Sequence, residues 1–369
     1  MITRRFVLIV QGVVIFHMPT ETQTLRLALI GFGTVGQGLA EILHNSAAML
    51  AAQHNFRAAI VAVSDLLKGA LYHPDGLDIA PLLEAGRAGK LAQYPEQPGL
   101  VRGLDALATI QQSNADTIIE VSYTDLKTGE PALSHVRAAF DAGKNVIVTN
   151  KGPVALAYKE LAARAALKGL YFGYEGTVMS GTPALRLART ALAGCAISEV
   201  RGIFNGTTNY ILTRMESGAT YTDALAEAQR MGYAEADPTG DVEGFDAAGK
   251  VVIVANVILG TSLRMDDVDR TGITALTPAD IDAARAAGER WKLVARARRT
   301  PEGITASVKP ERLPRSDPLA AVGGVTNAIT YETDMLGAVT LVGPGAGRRE
   351  TGFAILSDLL ELAKLRTEG

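Results

Sequence analysis

The sequence predicts an α/β domain followed by a mixed α+β domain. Three observations lead there. Short apolar runs alternate with helical stretches from residue 24 to 150, a glycine-rich turn follows the first of these runs, and beyond residue 290 the pattern changes to strands of alternating polarity joined by tight turns. The chain has 369 residues, room for two or three domains. Its 47% hydrophobic and 20% charged content fits a chain that buries a sizeable core. A net charge of −3 supplies no global basic field, so neither nucleic acid nor a membrane is expected as a partner. The single cysteine, Cys195, can form no internal disulfide and no zinc–cysteine cluster. This fits a reducing compartment, and a cytoplasmic location is expected.

Residues 1–17 read MITRRFVLIVQGVVIFH, with Arg4 and Arg5 ahead of an apolar run as in a signal peptide. No small-x-small cleavage pattern follows, and the run is shorter than the ~20 residues of a membrane span. Residues 1–23 are therefore expected to form an N-terminal extension.

The α/β domain is predicted over 24–152 as a Rossmann-type dinucleotide-binding unit. Strand LRLALI (25–30) runs into Gly31-Phe32-Gly33-Thr34-Val35-Gly36 and then a helix. Gly31 allows the tight turn, Gly33 lets backbone approach a pyrophosphate, and Gly36 allows close helix–strand packing. The helix N-terminus presents free N–H groups and a positive dipole end to the phosphates. The motif alone is weak; a strand before it and a helix after it make it specific. A second strand, 59–65, ends at Asp65, placed either to bond the adenosine ribose or simply to face solvent in a turn. Residues 66–113 read as an insertion with a helix near 79–87. Strand 116–122 ends at Ser122 and Tyr123, helix 130–142 follows, and strand 145–150 leads to Lys151. Ligands gather at strand ends of a parallel sheet, so Lys151 is a site candidate, although a lone lysine is commonly just a surface charge.

In the second half, strand 170–176 leads through a loop to a helix with Pro183 in its first turn. Strand 199–204 ends at Asn205-Gly206-Thr207-Thr208-Asn209, which can cap the next helix, and helix 223–231 after Thr222 stops at Gly232. Between Glu235 and Lys250 lie five carboxylates, Glu235, Asp237, Asp241, Glu243 and Asp246. A helix starting near 244 places Asp246 and Lys250 one turn apart on one face. By spacing alone this pair reads equally as a tuned lysine or as a surface salt bridge. Thr277-Pro278-Ala279-Asp280 is a capping signature opening helix 278–290. Strands WKLVARAR and GITASVKP follow, then a hairpin of NAITYET and GAVTLVG around Asp334-Met335-Leu336.

The stretch Gly232 to Lys250, with its acid, its Asp-Pro pair and its closing D-x-x-x-K, resembles the signature of the homoserine dehydrogenases. IFNGTTNYIL (203–212) is similar to that family's strand-to-helix turn, and VGPGAGRRETGFAILSDLL (342–360) resembles its C-terminal stretch, which returns to the nucleotide domain. The resemblance covers the chain from about residue 24 to its end. It implies a nucleotide domain of 24–152 completed by 343–369, and a catalytic and dimerisation domain over 153–342 with a homodimer. It implies reversible, NAD- or NADP-dependent interconversion of L-homoserine and L-aspartate 4-semialdehyde, within threonine, methionine and isoleucine biosynthesis. Lys250 and Lys151 would handle the hydroxyl proton. Asp246 and Glu235 would hold substrate, Glu235 near its ammonium with Asp241 in support, and Ser122, Tyr123, Gly232 and Gly347 would line the dinucleotide. Backbone oxygens of Glu175, Val178, Ser180 and Thr182 would hold a sodium ion. The chain departs from the family in having Met179-Ser180 where glycine is usual, and Arg348-Arg349-Glu350 where small residues are usual. Some relatives carry an aspartokinase or a regulatory ACT domain; neither is expected here.

All five histidines (His17, His44, His54, His73, His135) precede the second half, which excludes a histidine base from that half. Lysine is then the natural proton carrier, and two lysines brought together should lower one another's proton affinity. Other readings are another lysine-using NAD(P) oxidoreductase, separated by turnover with homoserine, and a non-catalytic dinucleotide sensor, in which Lys250 and Glu235 would be idle. A semialdehyde dehydrogenase needs a catalytic cysteine, which the Ala-Gly-Cys-Ala setting of Cys195 does not suggest.

Overall fold

The computed structural model describes residues 6–10, 13–17 and 24–368. Strands Phe6–Val10 and Val13–His17 pair as an antiparallel ribbon; the rest of the expected 1–23 extension lies outside the described residues. Among the described residues, no helix is long and apolar enough to cross a membrane.

Strand Thr24–Ile30 is the centre of a sheet that reads, from one edge, Val101–Arg102, Gly69–Tyr72, Arg57–Asp65, Thr24–Ile30, Thr117–Glu120, Asn145–Val148 and Phe172–Gly173. The five strands from Arg57–Asp65 to Phe172–Gly173 are parallel. They are apolar on both faces because helices cover both. Leu27, Leu29, Ile119 and Ile147 pack on one side with the Thr34–His54 helix, and Ala28, Ile118 and Val146 on the other.

The region expected as an insertion belongs to this sheet. Gly69–Tyr72 and Val101–Arg102 extend it as antiparallel strands, and helix Ala106–Gln112, capped by the Asp105 carboxylate on the Ala108 N–H (2.7 Å), supplies the crossover. Strands of four and two residues are too short to show a period. The strand expected over 170–176 is only Phe172–Gly173, because Glu175 turns inward to cap the chain ahead. This strand joins the first sheet, beyond the domain boundary expected at residue 152.

The second sheet runs Val268–Arg270, Gly303–Pro314, Glu289–Thr300, Ile197–Ile203, Thr326–Thr333, Gly337–Pro344, antiparallel apart from its first pair. Thr277 and Asp280 form the expected capping box, and that helix stops at Ala286, short of 290. Helix Tyr221–Arg230 is capped by Thr220 rather than Thr222. The Phe245–Ile258 helix is buried continuously from Ala247 to Asn256, as expected of a helix enclosed on all sides. It lies between the second sheet and helix Lys151–Leu167, where the Asn256 amide donates to the Ala155 carbonyl (3.2 Å).

The chain ends in helix Arg348–Glu368, which returns to the first sheet and packs along Thr34–His54. Gly38 permits the crossing: a Cβ there would strike the Arg348 carbonyl. The Arg348 guanidinium grips both oxygens of Glu41 (2.8 and 3.1 Å), so the arginine found where small residues are usual anchors this return.

Candidate active site

Two adjoining cavities lie over the carboxyl ends of the parallel strands and share Val121 and Ser122. The first, about 800 Å³, is bounded by Gly31, Gly33, Asp65 and Tyr123. Gly31 has φ +100°, and a Cβ there would lie 2.6 Å from the Val121 carbonyl oxygen. A Cβ at Gly36 would lie 2.7 Å from the Gly31 carbonyl oxygen, whereas one at Gly33 would meet nothing within 4 Å. Helix Thr34–His54 begins with no side-chain cap and no acid in its first turn, which leaves its N–H groups for an anion. Thr34 is exposed at the helix start, and Val35 faces the second cavity.

Asp65 is half turned inward. Its carboxylate accepts the Phe32 N–H (2.8 Å) and the Leu67 and Lys68 N–H groups (both 3.0 Å), with the Lys68 ammonium 3.5 Å away. Burial works to raise its pKa, but these bonds prevail and hold it below the usual carboxylate range.

The second cavity, about 970 Å³, brings together Lys151, Asp246 and Lys250 with Asp241, Gly232 and Gly347. Buried Lys250 donates to Asp246 Oδ2 (2.7 Å) and to the Phe204 carbonyl (2.6 Å). Lys151 contacts the other carboxylate oxygen, Asp246 Oδ1, at 3.5 Å. One carboxylate is thus shared by both ammonium groups, and its charge offsets their repulsion. Burial works to raise the Asp246 pKa, and the two lysines overcome it, holding the carboxyl well below the usual range.

Two asparagines bind this arrangement together. Asn150 caps helix Lys151–Leu167 on the Gly152 N–H (3.0 Å) and donates to the Ser122 (3.3 Å) and Tyr123 (2.6 Å) carbonyls. Asn205 caps helix Gly206–Glu216 on the Thr208 N–H (2.8 Å) and donates to Asp241 (2.6 Å) and Asp246 (3.1 Å). Burial, with the Asp246 charge nearby, keeps the Asp241 pKa above its usual value despite the Asn205 bond. Capping asparagines are visible in the sequence as cap signals; their second bonds are not. Equally unforeseen is Glu120, fully buried, which accepts from the Ser122 N–H (2.8 Å) and hydroxyl and pairs with His135 (2.7 Å).

Glu235 departs from expectation. Its side chain is exposed and it is not among the residues lining the cleft. Gly232 turns the chain at φ +73° and Ala234 takes the buried position beside it. Asp241 is the carboxylate of that loop that faces the cleft. Cys195 borders a different hollow, between Leu192 and Ile258.

Glu175, Val178, Ser180 and Thr182 lie on the loop after Phe172–Gly173. The buried Glu175 carboxylate is taken by the Leu185 (2.9 Å) and Arg186 (2.8 Å) N–H groups, so main-chain oxygens are what this loop offers a cation. Burial pushes the Glu175 pKa up to about 7 despite nearby Arg186. Met179 and Ser180, where glycine is usual, both stand in the left-handed region at φ 56° and 53°. Full burial of Met179 and a Ser180–Thr351 hydroxyl bond (2.8 Å) hold that conformation. Among the described residues, no cluster of three or more His, Cys, Asp or Glu side chains is arranged to hold a metal.

Hydride chemistry asks for a dinucleotide laid along strand ends and a proton carrier facing it. Strand-end cavities of this kind, with titratable groups beside them, define the class as a dinucleotide-dependent oxidoreductase. The family model for homoserine dehydrogenase matches residues 183–360. The chain belongs to the homoserine dehydrogenase family. It is 46% identical to the NAD(+)-dependent homoserine dehydrogenase of Pseudomonas canavaninivorans, over 93% of this chain and 97% of that one. The solved homoserine dehydrogenase of Thiobacillus denitrificans aligns with a TM-score of 0.80 at 32% identity, covering 94% of this chain and 74% of that one. A hyperthermophilic archaeal homoserine dehydrogenase, solved in complex with NADPH, aligns at 0.78 with 29% identity, covering 93% and 98%.

Proposed function

We propose that the larger cavity oxidises L-homoserine to L-aspartate 4-semialdehyde and runs the reverse reduction. The observation that carries this reading is the Lys250–Asp246–Lys151 bridge at the strand ends of a dinucleotide fold. A nicotinamide dinucleotide, NAD or NADP, would supply the hydride acceptor or donor. Glycines 31, 33 and 36 with the start of helix Thr34–His54 would hold its pyrophosphate, Asp65 its ribose, and Ser122, Tyr123, Gly232 and Gly347 would line its path.

Lys250 handles the hydroxyl proton. An ammonium has three N–H bonds, and two of them go to Asp246 and the Phe204 carbonyl. The third serves the substrate oxygen: in the reducing direction Lys250 gives that oxygen a proton, and in the oxidising direction its free amine takes the proton back. Lys151 adds positive charge on the same oxygen. Asp241 receives the substrate ammonium from the cleft wall. A homodimer built on the second sheet, a cytoplasmic setting, and a sodium ion on the oxygens of Glu175, Val178, Ser180 and Thr182 complete the reading. So does a division into a nucleotide unit (24–152 with strand Phe172–Gly173 and helix Arg348–Glu368) and a catalytic unit built on the second sheet.

The test is NAD(P)H formation on adding L-homoserine. Turnover with at least one of the two cofactors is expected. A protein that binds NADH yet reduces neither cofactor with homoserine overturns the reading.

A further inference from the structure

Asn327 stands at the cleft end of strand Thr326–Thr333 and borders the larger cavity. It is 1% exposed, and among the described residues neither its amide nitrogen nor its amide oxygen has a hydrogen-bond partner. The direction it faces follows from strand alternation. Tyr331, on the same face, donates its hydroxyl to the Ala184 carbonyl (2.6 Å), so this face looks toward the loop that carries Thr182. Ile329, between them, is core; Asn327 is the last of the row. Gly343, its partner across the hairpin, and Gly345 make room for these side chains: a Cβ at Gly345 would collide with the Asn327 amide and one at Gly343 with Thr182.

A buried amide with no partner is costly and is rare in folded chains. Asn327 therefore looks for its partner in whatever enters the cleft. Its requirement is specific, because one side offers N–H donors and the other an acceptor. A carboxylate would satisfy only the donors and an ammonium only the acceptor. The carbinol hydroxyl is already claimed by the lysines. A carboxamide presents both groups in one plane, as an adenine edge also does, but of the two it is the nicotinamide carboxamide that belongs beside the Lys250–Asp246 pair sharing this cavity.

We propose that Asn327 pairs reciprocally with the carboxamide of the nicotinamide ring and so orients the ring toward the substrate. This rests on the reading that the cleft takes a nicotinamide dinucleotide. The same glycine loop carries Gly347, so the amide and the dinucleotide path lie on one wall.

The experiment is calorimetric titration of NADH and of ADP-ribose, which lacks the ring, into the wild type, Asn327→Ala and Asn327→Asp. NADH affinity should fall about tenfold in Asn327→Ala while ADP-ribose binds as before. The wild type should favour NAD over its 3-acetylpyridine analogue, which has the acceptor but no amide N–H, and Asn327→Ala should lose that preference. Asn327→Asp keeps the size and loses the donors, so it should fold and show the same loss if the alanine variant does not fold. Equal weakening of NADH and ADP-ribose, unchanged NADH binding, or an effect confined to the KM for homoserine would each overturn the proposal. Flat titrations alongside normal homoserine turnover sink this inference alone. A ring-specific loss without turnover sinks only the assigned reaction.

Discussion

The cleft has two walls made in different ways. The dinucleotide wall is backbone: Gly31 and Gly36 have no room for a Cβ, Gly33 leaves open space beside it, and the helix start behind them offers main-chain N–H groups. The opposite wall is side chain: Lys250, Asp246, Asp241 and Asn205 meet through bonds of 2.6–3.1 Å and hold charge in a fixed place. A wall of backbone fails when volume is added, and it fails as a fold. A wall of side chains fails when a functional group is removed, and it fails as chemistry.

The largest expected effect tests the second half of that contrast. Lys250→Ala should lower kcat by about 10²–10⁴-fold while NADH binding holds and the protein stays folded. A near-normal kcat would reduce the Asp246–Lys250 pair to a salt bridge. Gly36→Ala tests the first half. Its new methyl lies 2.7 Å from the Gly31 carbonyl oxygen, so a loss of roughly 1–3 kcal/mol is expected by chemical denaturation, with weaker NADH binding. If this variant melts like the wild type, the backbone wall is looser than described.

Asp241→Asn should raise the KM for homoserine about tenfold, and Glu235→Ala should raise it less, because Asp241 faces the cleft and Glu235 is exposed. The reverse order would show that the Glu235 loop closes over substrate. Asp65→Ser should shift the NAD-to-NADP ratio of kcat/KM toward NADP by a few-fold, since a 2′-phosphate then meets less negative charge. An unchanged ratio removes Asp65 from the ribose site.

The smallest effect lies away from both walls. Asp358 on the returning helix accepts the Glu175 N–H (3.1 Å) and pairs with Arg186. Burial, opposed by Arg186, pushes the pKa of Asp358 and of Glu175 up to about 7, from ordinary values of 3.8 and 4.5. Between those limits the folded chain keeps protons that the unfolded chain has released. The stability they contribute is complete below pH about 4 and is lost as pH rises through about 7. Thermal melts from pH 5 to 8 should show a decline that Asp358→Asn makes shallower. An equal decline in both proteins would assign it to other groups.

The two walls also differed in how far they could be read beforehand. Glycine spacing and the one-turn step from Asp246 to Lys250 are local, and local patterns survive in a sequence. The Asn205 amide reaches Asp241 and Asp246 across 36 and 41 positions, and Asn150 reaches Tyr123 across 27. No periodicity encodes such contacts. The strands Gly69–Tyr72 and Val101–Arg102 were hidden for a different reason: they draw their stability from the edge they extend and carry too few residues to form a pattern. The left-handed pair Met179-Ser180 was hidden because packing, not residue type, holds it there.

The Arg348–Glu41 contact joins residues 307 positions apart. On a ribosome adding ~5–20 residues each second, the first helix emerges roughly 15–60 s before the helix that covers it. Meanwhile the core-facing side of Thr34–His54 lacks the neighbours Ile355, Leu356, Leu359 and Leu362 that complete its cluster. The nucleotide unit that starts at Thr24 thus waits for the second sheet to be synthesised before its own cluster can be completed.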